Sequence, residues 1–204
     1  MTTIIFDLET SGLNPYHEDI IEIGAKVLNS DNSFQILIKP KSDRPISKKI
    51  TEITGITNRL LRAEGHSWEN AYAYFNNWFF ETTKDSETIT IVSHNGDGFD
   101  FIFLKRMLLD LNKVGGKVLI DISKIIFHDT LPLSKRLYPS RTYYNQPSLA
   151  RTFNIIVENA HRAMGDVVVL EQLYLRILND LKIQEKFECI EDPQKVRDYI
   201  DLKF

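Results

Sequence analysis

The sequence predicts an α/β layer built on a mixed sheet, and three observations carry that reading. Three β-rich segments come first, at Thr3 to Glu9, Ile20 to Leu28 and Phe34 to Lys39. The last two are joined by "NSDNS", a turn composition that suits a hairpin. Helical and strand-like stretches then alternate, which is the pattern of helices packed on a partly parallel sheet.

Taken in order, the first segment contains "IIFDLETSGL", an apolar run interrupted by Asp7 and Glu9. A loop with Pro40 and Pro45 follows the third segment, then short helical pieces at "SKKITEI" and "TNRLLRA". "SWENAYAYFNNWFFETT" places aromatics at helical spacing after Ser67, which can cap the helix. "TITIVSHN" reads as a buried strand ending at a polar turn, and "FDFIFLKRMLLDLNK" as an amphipathic helix. "GGKVLID" predicts another short strand and "HRAMGDVVVLEQLYLRIL" a long late helix. The charged end, "EDPQKVRDYIDLKF", predicts a terminal helix. No repeat or linker divides the chain, so a single domain over residues 1–204 is expected, its motif-bearing core at about 3–178 and a helical tail at 179–204.

The composition fits that reading: 43% hydrophobic and 26% charged residues are ordinary for a globular domain. One cysteine, Cys189, excludes an intramolecular disulfide and a Cys-rich zinc site. No signal peptide and no long apolar run are present, so an intracellular protein without a membrane span is expected, cytoplasmic or nuclear. The net charge of −3 conceals a local asymmetry. Residues 102–162 hold ten Lys/Arg, among them Lys105, Arg106, Lys135, Arg141 and Arg162, against four acids. Solvated helix faces or a phosphate-binding surface both explain it.

Three constellations carry chemistry. Asp7 and Glu9 share one face of a strand, where two like charges are costly unless a cation or solvent compensates them. A solvated strand end or a pair of loop caps explains them; so does a divalent-metal site built from oxygen ligands. "SHNGDGFD" stands where an apolar strand gives way to a helix, the usual ligand-binding edge of an open α/β sheet, and offers Asp97 and Asp100 as metal ligands or as helix caps. "HRAMGD" offers His161 and Asp166 at the start of the late helix, where Asp166 also complements the helix dipole. Together these supply four carboxylates and a histidine. That set suits two-metal phosphoryl chemistry with a histidine base.

The D-x-E followed by T-x-G-L, the H-N-x-x-x-F-D and the H-x-A-x-x-D closely resemble the three motifs of DnaQ-like DEDDh 3′→5′ exonucleases. The resemblance runs from about Thr3 to Leu178. It looks nearest the three-prime repair exonuclease branch, through "ITGIT" and "HNGDGFDF", although the Pro-rich insertion of the animal enzymes is missing and Gly98 stands where a larger or basic residue is usual.

The resemblance implies an RNase H-like fold, a mixed five-stranded sheet flanked by helices. It implies Asp7, Glu9, Asp100 and Asp166 as ligands of two Mg²⁺ ions, replaceable by Mn²⁺, and His161 as general base. Leu13 and Ile53 would wedge against terminal bases, with ordinary core packing the alternative for both. Thr10, Gly12, His94, Asn95 and Phe99 complete the expected substrate contacts. The expected partner is a nucleic-acid 3′ end, DNA over RNA and single-stranded; a homodimer and a polymerase or replication partner are compatible with it. An RNA-trimming enzyme of the same superfamily is the nearer alternative, and a non-catalytic or polymerase-associated binder the more distant one.

Overall fold

A computed structural model of the chain describes residues 1–42, 44–157, 162–184 and 192–201. Five strands, β1 (Thr2–Thr10), β2 (Ile20–Val27), β3 (Ser33–Leu37), β4 (Ile89–Ser93) and β5 (Ile125–Asp129), lie in the order β3-β2-β1-β4-β5. The first three pair antiparallel, whereas β1–β4 and β4–β5 are parallel. This is the mixed five-stranded sheet that the sequence predicts.

Around it stand α1 (Lys48–Thr54), α2 (Asn58–Glu64), α3 (Trp68–Thr83), α4 (Asp100–Lys113), α5 (Thr130–Leu137), α6 (Gln146–Thr152), α7 (Ala163–Gln184) and α8 (Pro193–Asp201). The starts of α1, α2 and α3 are written in the sequence: Ser47, Thr57 and Ser67 accept the N–H groups of Ile50, Leu60 and Asn70. No helix among the described residues is long and apolar enough to cross a membrane.

Strand β1 is central and buries both faces. Ile4, Phe6 and Leu8 pack with Phe75, Phe79, Phe101 and Leu104 of α3 and α4, while Ile5 packs on the other face with Val167, Leu170 and Leu133. A strand covered on both sides has no solvated face for a charge. Asp7 and Glu9 nevertheless continue the Ile5 face, at the end where β1 outruns its parallel neighbour: the β1–β4 pairing stops at Ile5 with Val92. A register shift between Glu9 and Thr10 then bends the strand end.

One predicted element is displaced. Residues 115–121 form no strand, because the buried Asn76 side chain of α3 takes their backbone groups: its Oδ1 accepts from Leu119 and Ile120, and its Nδ2 donates to the Lys117 carbonyl. The fifth strand forms instead at "IIFHD", immediately after a turn started by Asp121.

Helix α7 crosses β2 at very short range. A Cβ built on Gly24, the partner of Asp7 across the β1–β2 ladder, would lie 2.6 Å from the Ala163 backbone carbon. Only glycine permits that approach, which sets the height of the first turn of α7 above the sheet. Gly24→Ala is therefore expected to lower stability by about 1–3 kcal/mol in urea unfolding, and to weaken divalent-cation binding, since the displaced turn carries Asp166. Unchanged values of both would show that the helix start is not fixed by this contact.

Candidate active site

Strand β1 and helix α7 bring three of the predicted acids together. One carboxylate oxygen from each of Asp7, Glu9 and Asp166 lies within 4.8 Å of the others. Asp100 enters from the opposite side, at the head of α4, where it is buried and accepts the Ser93 hydroxyl hydrogen at 2.6 Å. The Leu8 N–H, released where β1 and β4 part, also points at the Asp100 carboxylate.

Burial and mutual repulsion set the electrostatics. Desolvation first, then Asp100, Asp166, Glu9 and Glu22, pushes the Asp7 carboxyl well above its ordinary range. The same effects raise Glu9 to about 8, with the Arg162 guanidinium opposing them. Asp100 is raised by burial to about 7 against the lowering effect of the Ser93 hydrogen bond. Each negative charge is costly here, so without a cation these carboxyls keep their protons to higher pH.

Supporting groups that the sequence reading did not single out hold this arrangement. Glu22 of β2, fully buried, stands opposite Glu9 in the ladder and accepts from Arg162 Nη2 at 2.6 Å, Arg162 Nε at 3.1 Å and the Ala163 N–H at 3.0 Å. It thus ties down the segment that leads into Asp166. Asp129, also buried, accepts from the N–H groups of Asn95, Asp97 and Leu131 and so fixes the turn before Asp100. Glu22 interrupts the apolar run "IIEIGA" and Asp129 ends "IIFHD", the same kind of signal that marked Asp7 and Glu9.

His161 lies outside the described residues. Leu13 is 84% exposed and Ile53 45%, which excludes core packing as the reason for either. Leu13 stands on a braced loop: the Ser11 N–H bonds the Asp19 carbonyl, the Ser11 hydroxyl bonds Glu18, and Arg106 donates to the carbonyls of Pro15 and Glu18. The Thr10 hydroxyl is committed to the Gly12 carbonyl at 2.7 Å. Asn95 is exposed in the left-handed region (φ 67°). Phe99 is half-buried, its ring edge-on to Phe103. The His94 Nδ1 meets the Thr130 hydroxyl at 2.9 Å, and burial holds this imidazole neutral by lowering its pKa to about 4. Asp97 is turned outward to an ion pair with Arg197.

The donor set fits hard divalent cations. The three clustered groups offer oxygen only, without cysteine or histidine among them, which is the donor chemistry that hard divalent cations take. Arg162, the cation facing Glu9, is already committed to Glu22, so like charge is left for an ion to balance.

Residues 4–174 match the RNase_T family model, described as Exonuclease. The chain is 33% identical over 203 residues to the PolC-type DNA polymerase III of Thermotoga maritima, covering 98% of this chain and 13% of that protein. It is 30% identical over 185 residues to the PolC-type DNA polymerase III of Bacillus subtilis, covering 88% of this chain and 12% of that protein. The chain thus spans only a small fraction of these relatives. Among solved structures, E. coli Exonuclease I in complex with a dT13 oligonucleotide superposes with a TM-score of 0.72 at 18% identity, covering 91% of this chain and 43% of that one. Its complex with a dA16 oligonucleotide gives 0.72 at 19%, covering 97% and 42%. At that identity the likeness is one of fold.

The raised carboxyls make stability depend on pH with a definite sign. A group whose folded pKa exceeds its unfolded value stabilises below the unfolded value, and that contribution is lost as pH rises through the folded one. For Glu9 the window runs from 4.5 to about 8, and for Asp100 from 3.8 to about 7. The buried imidazoles of His94 and His128 act oppositely, but only below their ordinary 6.5. In EDTA, therefore, the melting temperature is expected to fall between pH 6.5 and pH 8.5, and saturating Mg²⁺ to remove the fall. A rise over that interval in EDTA would contradict the site's electrostatics.

Proposed function

The chain belongs to the exonuclease family, and from that premise we propose that it is a metal-dependent 3′→5′ exonuclease releasing nucleoside 5′-monophosphates from single-stranded DNA. The observation that carries this reading is the convergence of Asp7, Glu9 and Asp166 within 4.8 Å, with the buried Asp100 close enough to raise Asp7. When bound, two Mg²⁺ ions, or Mn²⁺ in their place, supply the positive charge that lets these carboxylates coexist and that stabilises an in-line displacement at phosphorus.

The chain's own groups then divide the work. Asp7, Glu9 and Asp166 would supply the oxygens that hold the metal, and Asp100 would support the site from its buried position. His161 takes the proton of the attacking water at its imidazole; the two residues that follow it, Arg162 and Ala163, are anchored to Glu22. Leu13 and Ile53, both exposed, stack against the terminal bases without reading their identity. Backbone groups near Thr10 and Gly12 meet the terminal sugar, with Asn95, His94 and Phe99 on the other wall. Of the ten cations of residues 102–162, several, Arg106, Arg141 and Arg162 among them, make internal bonds, whereas Lys135, exposed and near enough to influence His94, would follow the strand.

The oligonucleotides in the two Exonuclease I complexes favour single-stranded DNA as substrate. The likeness to PolC-type polymerases favours a second reading of context, in which the domain edits 3′ ends for a polymerase. A non-catalytic binder does not account for four retained carboxylates held at such electrostatic cost.

Digestion of 5′-labelled single-stranded DNA, duplex DNA and RNA with Mg²⁺, Mn²⁺ or EDTA tests the reading. Single-stranded DNA should shorten from its 3′ end fastest, and EDTA should stop it; equal or faster loss of RNA would transfer the assignment to an exoribonuclease. His161→Ala is expected to lower kcat by about 10²-fold or more, with KM and Mn²⁺ binding kept. Wild-type turnover in that variant would remove His161 from the base role.

A further inference from the structure

Helix α8 lies beyond residue 174, outside the stretch that matches the family, yet it reaches the turn that delivers Asp100. Its apolar face, Val196, Tyr199 and Ile200, is buried with Leu133, Leu137 and Tyr174, and the Arg136 guanidinium covers the Tyr199 ring at 4.7 Å. Two polar contacts fix it to β5, the edge strand of the sheet. His128 Nε2 bonds the Pro193 carbonyl at 2.8 Å while its Nδ1 bonds the Tyr174 hydroxyl at 2.7 Å. Arg197 Nη1 donates to the Phe127 carbonyl at 2.9 Å, taking up an acceptor on the open side of β5.

The same Arg197 nitrogen lies 3.1 and 3.2 Å from the two Asp97 carboxylate oxygens, and Arg197 Nε bonds Asp201 at 2.8 Å. Asp97 belongs to a single 3-10 turn, Gly96–Gly98, that leads directly into α4 and Asp100. That turn is also held by Asp129 through the Asn95 and Asp97 N–H groups, at 2.9 and 3.1 Å, by the His94–Thr130 contact at 2.9 Å and by its own backbone bonds. The Arg197 side chain is 22% exposed and that of Asp97 43%. An ion pair this open adds little to overall stability. Its geometry does something else, because it joins the edge strand, the last helix and the turn before Asp100 at one point.

We propose that Arg197 is a positioning residue: acting through Asp97, it locks the 94–99 turn to β5 and α8 and thereby sets where Asp100 stands. The proposal rests on the exonuclease reading of the site for its kinetic consequences but not for its structural one. Misplacing a catalytic group by about 1 Å can cost up to about 10²-fold in rate, so a loosened turn should act on turnover rather than on substrate binding.

The test uses Arg197→Ala, Arg197→Lys, Asp97→Asn and the Asp97→Asn/Arg197→Ala pair, assayed on a single-stranded dT oligonucleotide at saturating Mg²⁺. Arg197→Ala and Asp97→Asn should each lower kcat about tenfold with KM within about twofold. The double variant should be no slower than either single one, as expected when both act through one contact. Arg197→Lys, which keeps charge near Asp97 but not the forked donor set, should fall between wild type and Arg197→Ala. Amide hydrogen exchange over 94–99 should quicken in Arg197→Ala, with a melting temperature within about 5 °C of wild type.

Unchanged kcat, multiplied losses in the double variant, or a raised KM with intact kcat would overturn the positioning role, the last by making Arg197 a strand contact. If the wild type cleaves none of the oligonucleotides, the exchange measurement decides alone: faster exchange over 94–99 upholds the latch while the function fails, and unchanged exchange removes the latch. Should Arg197→Ala not fold, Asp97→Asn, which leaves the apolar face of α8 intact, carries the same measurements.

Discussion

Repulsion among carboxylates in one poorly solvated cleft is the constraint on which the rest of this molecule depends. Asp7, Glu9 and Asp166, all half-buried, and the buried Asp100 are kept close although a charge removed from water is costly without compensation. The fold counters the tendency to separate by bracing every approach to the cleft. Gly24 lets α7 descend onto β2, Glu22 ties Arg162 and Ala163 at the start of that helix, and Ser93 with the Leu8 N–H holds Asp100. The acids are held against their own field, and an arrangement of that kind suits a site that expects positive charge from outside.

The sheet explains why these particular positions carry the acids. Strand β1 is the longest of the five and runs past its parallel neighbour, so its last residues leave the packed region while remaining fixed by β2 on the other side. Helices α4 and α7 both begin at that end, one headed by Asp100 and the other carrying Asp166 in its first turn. Helix starts bring a partial positive charge to acids that need one. Position, rather than any single side chain, makes the site.

Much of this was legible in the sequence because the relevant signals are local. Alternation around Asp7 and Glu9 gave their shared face, Ser67 announced the start of α3, and the acids at strand ends and helix starts pointed to one cleft. What escaped depends on partners far along the chain. The segment "GGKVLID" has strand-like composition, but Asn76, some forty residues earlier, satisfies its backbone instead. Glu22 and Asp129 gain their meaning from distant partners: the ladder sets Glu22 opposite Glu9, and the turn before Asp100 closes over Asp129. Similarly, Arg197 sits in a charged terminal helix whose one-dimensional pattern reports its apolar face and nothing about Asp97.

Calorimetric titration of the metal-free protein with Mn²⁺ at pH 7.5, in two buffers of different ionisation enthalpy, tests the central claim most directly. Because Glu9 is raised to about 8 and Asp7 is raised with it, binding at this cluster must displace protons, and the measured heat must depend on the buffer. The expected result is Mn²⁺ binding with proton release in the wild type, and loss of both in Asp7→Asn. Absence of binding, or the same binding and the same proton release in Asp7→Asn, would contradict the claim that these carboxylates form a metal site.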